Sequence, residues 1–363
     1  MTADRLGTRR IGRVAASVRP EPAEGEEEPA AVQGEGPAPA PPPARRIAGN
    51  VWLRFALRRA ARLLVSLWVL VTASFLMIHL VPGDPVRSAL GPTAPAALVA
   101  ERRAALGLDD PLLTQYLGYL KGLFAGDLGI SIQTRLPVSE VVGQRLPATL
   151  TLAVLAFVAA VALAVPIGVS MGVLTRRGRG RRTEVAFTTG SVVLGAIPDF
   201  LLGVGLVYLL GVTLQWLPVA GNTSAAGYVL PVLALAVGPA AVLARILRVE
   251  MVSVLDADYL RTARAKRLPA RSLYLGHALP NAATAALTLC GLLLGSMVAG
   301  TVLVENVFAW PGLGTTIVRS ILSKDYPLVQ AIVLVYGLGV LLVNTAVDVA
   351  LALLDPRSMI RED

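Results

Sequence analysis

Residues 256–281 read DADYLRTARAKRLPARSLYLGHALPN and form a basic, polar stretch between two long apolar runs. The apolar runs, about residues 228–247 and 283–304, each have the roughly 20 residues that a membrane-crossing helix needs. The cations of the stretch are Arg261, Arg264, Lys266, Arg267 and Arg271. The stretch therefore predicts a charged loop outside the bilayer that joins two spans.

Six apolar stretches of this length occur along the chain. They cover about residues 63–81, 148–174, 185–212, 228–247, 283–304 and 328–354. The composition fits, because 55% of the residues are hydrophobic and only 16% are charged, whereas soluble domains have about 25% charged residues. The predicted fold is an all-α integral membrane protein with six transmembrane helices.

The net charge of +9 is explained by topology, since the cations cluster at the ends of apolar runs. We therefore expect no nucleic-acid partner. Arginines precede the first span and fill the loop after the second, while residues 220–227 contain no Lys or Arg. By the positive-inside rule, both termini and the loop 256–281 are expected to be cytoplasmic.

The long region 82–147 is then outward, with balanced charge and apolar residues at helical spacing. We expect a small, partly helical subdomain that either caps the bundle or receives a partner that brings substrate. Residues 1–50 are rich in Glu and Pro and have no long apolar block, which predicts a disordered cytoplasmic extension, either dispensable or a docking tail. Residues 358–363 form a short cytoplasmic tail.

Polar residues within the spans are candidates for function. Asp199 follows Pro198 near the middle of the third span, where a carboxylate is costly and marks a transport path by default; the alternative is a structural acid. Pro198 predicts a kink in that span. Asp348 lies near the inner end of the last span, and we expect it to pair with a cytoplasmic-end base such as Arg245 or Arg248.

No catalytic motif occurs in the sequence. GxxxxGK[ST], HExxH and GxSxG are all missing. One cysteine and two histidines, in different segments, give neither a disulfide framework nor a metal site. We expect a transport protein rather than an enzyme, and its energy would come from an ion gradient or from a separate subunit.

The opening stretch resembles the cytoplasmic coupling loop of permease subunits in ATP-binding-cassette importers. That motif runs approximately E-A-A, three residues, G, nine residues, I-x-L-P. Ala263, Leu279 and Pro280 match strictly. The positions of the pattern fall on Arg261, Thr262, Ala263, Arg267, His277, Leu279 and Pro280.

Further strings extend this resemblance to nearly all of residues 53–357. They are similar, in the same order, to dipeptide, oligopeptide and nickel permeases of the first-subunit type. They include LVPGDP (80–85), LGLDDPLLTQYL (106–117), RLPATLTLA (145–153), IPDFLLG (197–203), QWLPVAG (215–221), VENVFAWPGLG (304–314) and KDYPLVQ (324–330).

The resemblance implies an importer transmembrane domain over residues 51–357, in a prokaryotic cell membrane. Its partners would be a second homologous permease, two cytoplasmic ATPases and an extracytoplasmic solute-binding protein. This chain would bind no cofactor, and the ATPases would use ATP and Mg²⁺. Short peptides are the implied substrates. Nickel or another solute is the alternative within the family, and a gradient-driven secondary transporter is the alternative outside it.

The resemblance also implies that a short coupling helix at 269–276 docks on an ATPase. Arg264, Lys266, Arg271 and Tyr274 would join the motif positions in this contact, with Leu273 and Leu275 as apolar anchors. Alternatively, the cations only set topology or bind anionic lipid.

Two features around this helix and the outer loop add further expectations. Arginine at position 267, where the family has glycine, predicts a bend made differently, with Pro269 starting the helix. In the outer loop, Phe308 and Trp310 would form part of a substrate mouth or, alternatively, an interfacial aromatic belt.

Overall fold

The chain folds into helices throughout its described part. The structure, a computed structural model, describes residues 48–80, 84–91, 93–105, 107–178, 180–221 and 224–354. The predicted extension, apart from 48–50, and the predicted tail lie outside these residues. The helices are α1 (Ala48–Leu80), α2 (Pro85–Leu90), α3 (Ala96–Ala105), α4 (Leu112–Phe124), α5 (Val138–Leu174), α6 (Arg181–Ala196), α7 (Asp199–Leu206), α8 (Ala225–Leu255), α9 (Asp258–Ala265), α10 (Leu279–Val307), α11 (Leu313–Leu322) and α12 (Tyr326–Leu354).

Five of these helices, α1, α5, α8, α10 and α12, are long and apolar enough to cross a membrane. The bent pair α6 and α7 gives a sixth span if it crosses as one unit. The predicted all-α membrane fold is confirmed, with five or six helices that can span. Several helices extend beyond their predicted spans. α5, for example, starts at Val138 and has 37 residues, about 55 Å at 1.5 Å per residue.

The centre of the bundle is the close packing of α5 against α8. A methyl group on Gly168 would lie 2.8 Å from the carbonyl oxygen of Ala244, and one on Gly172 would lie 2.6 Å from Met251 Cβ. Only glycine allows these two backbones to approach so closely. Close approach at small residues gives membrane helices the packing contacts that hold them together, because no hydrophobic driving force acts between helices within the bilayer. The small residues in these runs therefore support a tight bundle, as expected.

The third span is broken rather than merely kinked. α6 ends at Ala196, α7 begins at Asp199, and the two helices meet at 98°. Ile197 is extended (ψ 124°) because a following proline disfavours the helical conformation, and Pro198 is also extended (ψ 137°). After α7 the chain continues as a π-helix, Val207–Thr213.

Helices α2, α3 and α4, in the described part of the region between α1 and α5, lie at the end of the bundle opposite to residues 256–281. This region is joined to the bundle by side-chain contacts. Thr72 of α1 hydrogen-bonds to Tyr116 of α4 at 2.8 Å. Asp325, just before α12, accepts a hydrogen bond from Ser131 Oγ at 2.5 Å and from the backbone N–H of Ile132 at 3.1 Å.

Asp348 pairs with an arginine, as expected, but with neither of the two that were given as examples. Its carboxylate pairs with Arg59 of α1 at 2.6 Å, whereas Arg248 pairs with Glu184 of α6 at 2.6 Å. The reason is the arrangement of the helices, because the end of α12 lies beside the start of α1.

Candidate functional site

The segment 256–281 forms two helical pieces joined by a sharp turn. α9 ends at Ala265, and the second piece begins at Ala270 and passes through a π-helical turn, Ser272–Ala278, directly into α10. The coupling helix expected at 269–276 is thus the first part of a continuous helix. Pro269 stands just before it, and its carbonyl accepts the backbone N–H of Leu273 at 3.0 Å.

One face of this segment belongs to the hydrophobic core. Leu260 and Ala263 of α9 are buried, as are Leu273 and Ala278 of the π-helical turn. All four join the cluster that contains the central residues of α5, α8 and α10. The segment is therefore packed against the bundle and does not hang from it as a free loop.

The other face is exposed and basic. Of the predicted coupling residues, Ala263 is buried and three are half-buried, namely Arg264, Tyr274 and Leu279. The exposed ones are Arg261, Thr262, Lys266, Arg267, Arg271, His277 and Pro280. Of the two leucines expected as anchors, Leu273 faces inward and Leu275 is 48% exposed. Tyr259, which the sequence reasoning missed, is also exposed.

The turn after α9 is a Schellman motif with arginine in the glycine position. Arg267 has φ +54°. Its N–H bonds to the carbonyl of Arg264 at 2.9 Å, and the N–H of Leu268 bonds to that of Ala263 at 3.4 Å, which is the hydrogen-bond pattern of this helix ending. Arg267 therefore adopts the left-handed conformation that glycine favours in such a turn. The expectation that arginine at this position produces a different bend is wrong.

Ion pairs hold the end of the bundle beneath this surface. Arg176 pairs with Asp256 at 2.5 Å, and Arg248 donates to Thr175 Oγ1 at 3.0 Å as well as pairing with Glu184. The hydrogen bond from Arg176 holds the pKa of the Asp256 carboxyl below its usual value. This network joins the ends of α5 and α8 to the start of α6.

Asp199 lies between α8 and α10. A methyl group on Gly238 would lie 3.4 Å from Asp199 Oδ1, and one on Gly300 would lie 3.1 Å from Oδ2. Within the described part of the chain, the half-buried carboxylate makes no hydrogen bond or ion pair. The break at Pro198 places it at the first residue of α7, where a negative charge suits the helix dipole.

Phe308 and Trp310 are buried. Trp310 donates from Nε1 to the carbonyl of Ala148 at 3.1 Å and packs edge-on against Tyr228, with ring centroids 4.7 Å apart. Phe308 packs close to Gly203 of α7. Their place in a substrate mouth stays a prediction; in this structure they fix the segment between α10 and α11.

Glu305 is the residue of this region that the sequence reasoning missed. It is fully buried, and its carboxylate accepts hydrogen bonds from Thr149 Oγ1 at 2.7 Å and from the backbone N–H of Gly314 at 2.6 Å. Glu305 lies within α10, and a carboxylate within a membrane helix is the signal that drew attention to Asp199. Here it satisfies the free N–H groups at the start of α11.

Most of the chain is similar to known transport proteins. Residues 164–360 match the family described as "Binding-protein-dependent transport system inner membrane component", and residues 52–153 match the N-terminal region of such membrane components. The glutathione transport system permease protein GsiC of Salmonella typhimurium (strain LT2) is 39% identical over 304 residues, which cover 84% of this chain and 98% of that protein. GsiC of Escherichia coli (strain K12) is 38% identical over the same length.

The match extends over the membrane helices, the broken span and the segment 256–281, so it concerns the architecture as a whole and not one motif. The chain belongs to the family of binding-protein-dependent inner membrane transport components, the permease subunits of ATP-binding-cassette importers of the dipeptide, oligopeptide and nickel type.

Proposed function

We propose that this chain forms one half of the membrane pathway of a peptide importer. A second homologous permease completes the pathway, two cytoplasmic ATPases drive it with ATP and Mg²⁺, and an extracytoplasmic solute-binding protein delivers the substrate. The similarity to permeases named for glutathione, itself a small peptide, supports short peptides over nickel as the solute. The absence of a phosphate-loop motif in the sequence supports an energy source outside this chain.

The segment 256–281 is the docking surface for one ATPase. The observation that carries this proposal is its two-faced construction: Leu260 and Leu273 are anchored in the core of the bundle, while the opposite face exposes cations together with Tyr259 and Leu275. A partner that binds Leu275 thereby moves residues packed against α8 and α10. Apolar anchors within a polar, charged rim are typical of a protein interface.

The orientation follows from the same surface. Arg176 lies beside Asp256, so the arginines at 176, 177, 181 and 182 and the docking surface are at one end of the bundle. The positive-inside rule places that end in the cytoplasm. Both termini are then cytoplasmic, and α2 to α4 face outward.

Asp199 and Pro198 line the substrate path. The broken span brings an unpaired carboxylate to a place where glycines of two other helices leave room. Irregular backbone at membrane depth occurs where it is buried in protein or lines a cavity. Trp310 and Phe308 act on the outer mouth through packing, because they fix the segment that leads into α11.

The docking proposal is tested by Leu275→Ser and Arg271→Glu in the complete importer. We expect each variant to reduce co-purification of the ATPases at least tenfold, as truncation of a central interface residue does, and to abolish peptide uptake. Leu322→Ser and Arg319→Glu, an exposed leucine and an exposed arginine of α11 at the opposite end, are matched controls. Equal ATPase recovery in all four variants would refute the proposal.

A further inference from the structure

A groove runs along one side of the bundle, between α1 and the pair α10 and α12. Its middle part has a volume of about 750 Å³ and is lined by apolar side chains, including Val65, Val69, Ala73, Ala299, Val302 and Val340. The part nearer the docking surface has a volume of about 370 Å³ and is lined by Arg59, Arg62, Asn344 and Asp348. Ser66 and Leu341 line both parts, so the groove is continuous.

Two contacts join α1 to α12 along the groove. At the charged end, Arg59 pairs with Asp348. Further along, Leu70 packs so closely on Gly337 that a methyl group there would lie 2.5 Å from Leu70 Cδ1. Between these contacts, Val65 and Val69 keep 60% and 52% of their surface exposed, so the described chain leaves the groove unfilled.

The length of the groove matches one leaflet of a bilayer. From Arg62 to Ala73 the helix advances by eleven residues, about 16 Å, and half of the hydrocarbon thickness is about 15 Å. The cations therefore lie near the membrane surface when Ala73 lies near the bilayer centre. An occupant must present an anion at the level of Arg62 and hydrocarbon from Val65 to Ala73.

The charges at the open end favour an anion. Arg59 and Asp348 neutralise each other, whereas Arg62 is exposed and makes no ion pair or hydrogen bond within the described residues. One positive charge is left at the head of an apolar groove. A basic pocket between transmembrane helices on the cytoplasmic side is typical of sites for anionic lipid headgroups.

We propose that this groove binds one anionic phospholipid of the leaflet that faces the docking surface. Arg62 contacts the phosphate, and the acyl chains lie along Val65, Val69 and Ala299. The bound lipid fills the space between α1 and the rest of the bundle. This site is separate from the ATPase surface and from the path at Asp199.

The test is native mass spectrometry of the purified importer complex after exchange with phosphatidylglycerol or with phosphatidylcholine of the same chains. We expect one phosphatidylglycerol to be retained in preference to phosphatidylcholine. Arg62→Gln should weaken the retention of phosphatidylglycerol about fivefold. A cation near the membrane surface contributes about 1 kcal/mol to the binding of an anionic lipid, and this energy corresponds to that fold-change. Ala299→Phe should also weaken retention, because it fills the apolar part and leaves the charge unchanged. Arg182→Gln, an exposed arginine away from the groove, should bind as the unmodified protein does.

Three outcomes would overturn the proposal: equal retention of both lipids, unchanged retention in Arg62→Gln, or displacement of the lipid by glycerol phosphate alone. Cross-linking from Val69→Cys to the second permease in native membranes would also overturn it, since a protein helix would then occupy the groove. Because Arg62 is exposed, its variant is expected to assemble, and it decides the question even if Ala299→Phe does not fold.

Discussion

Replacing Arg267 by glycine is expected to stabilise this protein, although it removes a charged side chain from the proposed docking surface. Arg267 has φ +54° at the end of α9. A left-handed conformation costs a residue with a Cβ about 1–2 kcal/mol, and the greater backbone entropy that glycine loses on folding offsets about 0.5–1 kcal/mol of the relief. The expected net gain is about 0.5–1 kcal/mol in the free energy of unfolding.

Thermal unfolding of the permease can be followed through Cys290, the single cysteine of the chain. It is partly buried in α10, the helix that continues from the docking surface, so it becomes fully reactive toward a thiol probe when the core opens. With partner subunits that lack cysteine, the midpoint for Arg267→Gly should rise by about 1–4 °C, given about 2–4 °C per kcal/mol for domains of 150–250 residues.

Two controls separate backbone strain from the loss of charge. Lys266→Gly removes a neighbouring exposed cation at φ −74°, where glycine relieves no strain, and should lower the midpoint. Arg267→Asn removes the charge but keeps a residue that tolerates the left-handed region, so its stability should fall between those of the unmodified protein and Arg267→Gly. If Arg267→Gly and Lys266→Gly are destabilised equally, the reasoning from φ is refuted.

Three other changes test the packing and the path. Gly172→Ala should destabilise the protein by about 1–3 kcal/mol through overpacking against Met251, whereas Gly143→Ala in the same helix, where a methyl group meets nothing within 4 Å, should be neutral or slightly stabilising in thermal unfolding. Glu305→Gln should cost about 2–3 kcal/mol by the same assay, because the amide cannot accept all the hydrogen bonds of the buried carboxylate; an unchanged midpoint would contradict its assigned role. Asp199→Asn should change the rate of peptide uptake while ATPase co-purification stays normal, and unchanged uptake kinetics would remove Asp199 from the path.

The long helices were predictable because each apolar run is long enough on its own to require a membrane. The residues at which these helices begin and end were less predictable. α5 starts ten residues before its apolar run, at Val138, because residues 138–142 pack against α11 and α12, contacts that no local pattern contains. Pro198 predicted a kink, but no local pattern gives the size of the 98° break; after it, α7 packs at Gly203 against Phe308, a contact between residues far apart in sequence.

The turn at Arg267 shows why the site was only partly predictable. Arginine disfavours a positive φ by an amount that local rules give correctly, about 1–2 kcal/mol. Those rules do not include the two Schellman hydrogen bonds or the contact of Leu268 with the core, which together outweigh the cost. Local hydrogen bonds and the partial burial of Leu268 together therefore hold arginine in a conformation that favours glycine.

One continuous helical piece joins the proposed docking surface to the path. It begins at Ala270, exposes Leu275 to a partner, passes Asp199 at Gly300 and ends beside Glu305, which holds α11. From Leu275 to Gly300 it advances by 25 residues, about 38 Å at 1.5 Å per residue. The regular part of this element, Leu279–Val307, moves as a unit and carries a displacement across the bilayer without a chain of small side-chain shifts. The π-helical turn Ser272–Ala278 is the part of this element with irregular hydrogen bonding, so it is where a tilt between the docking surface and the bundle would be absorbed.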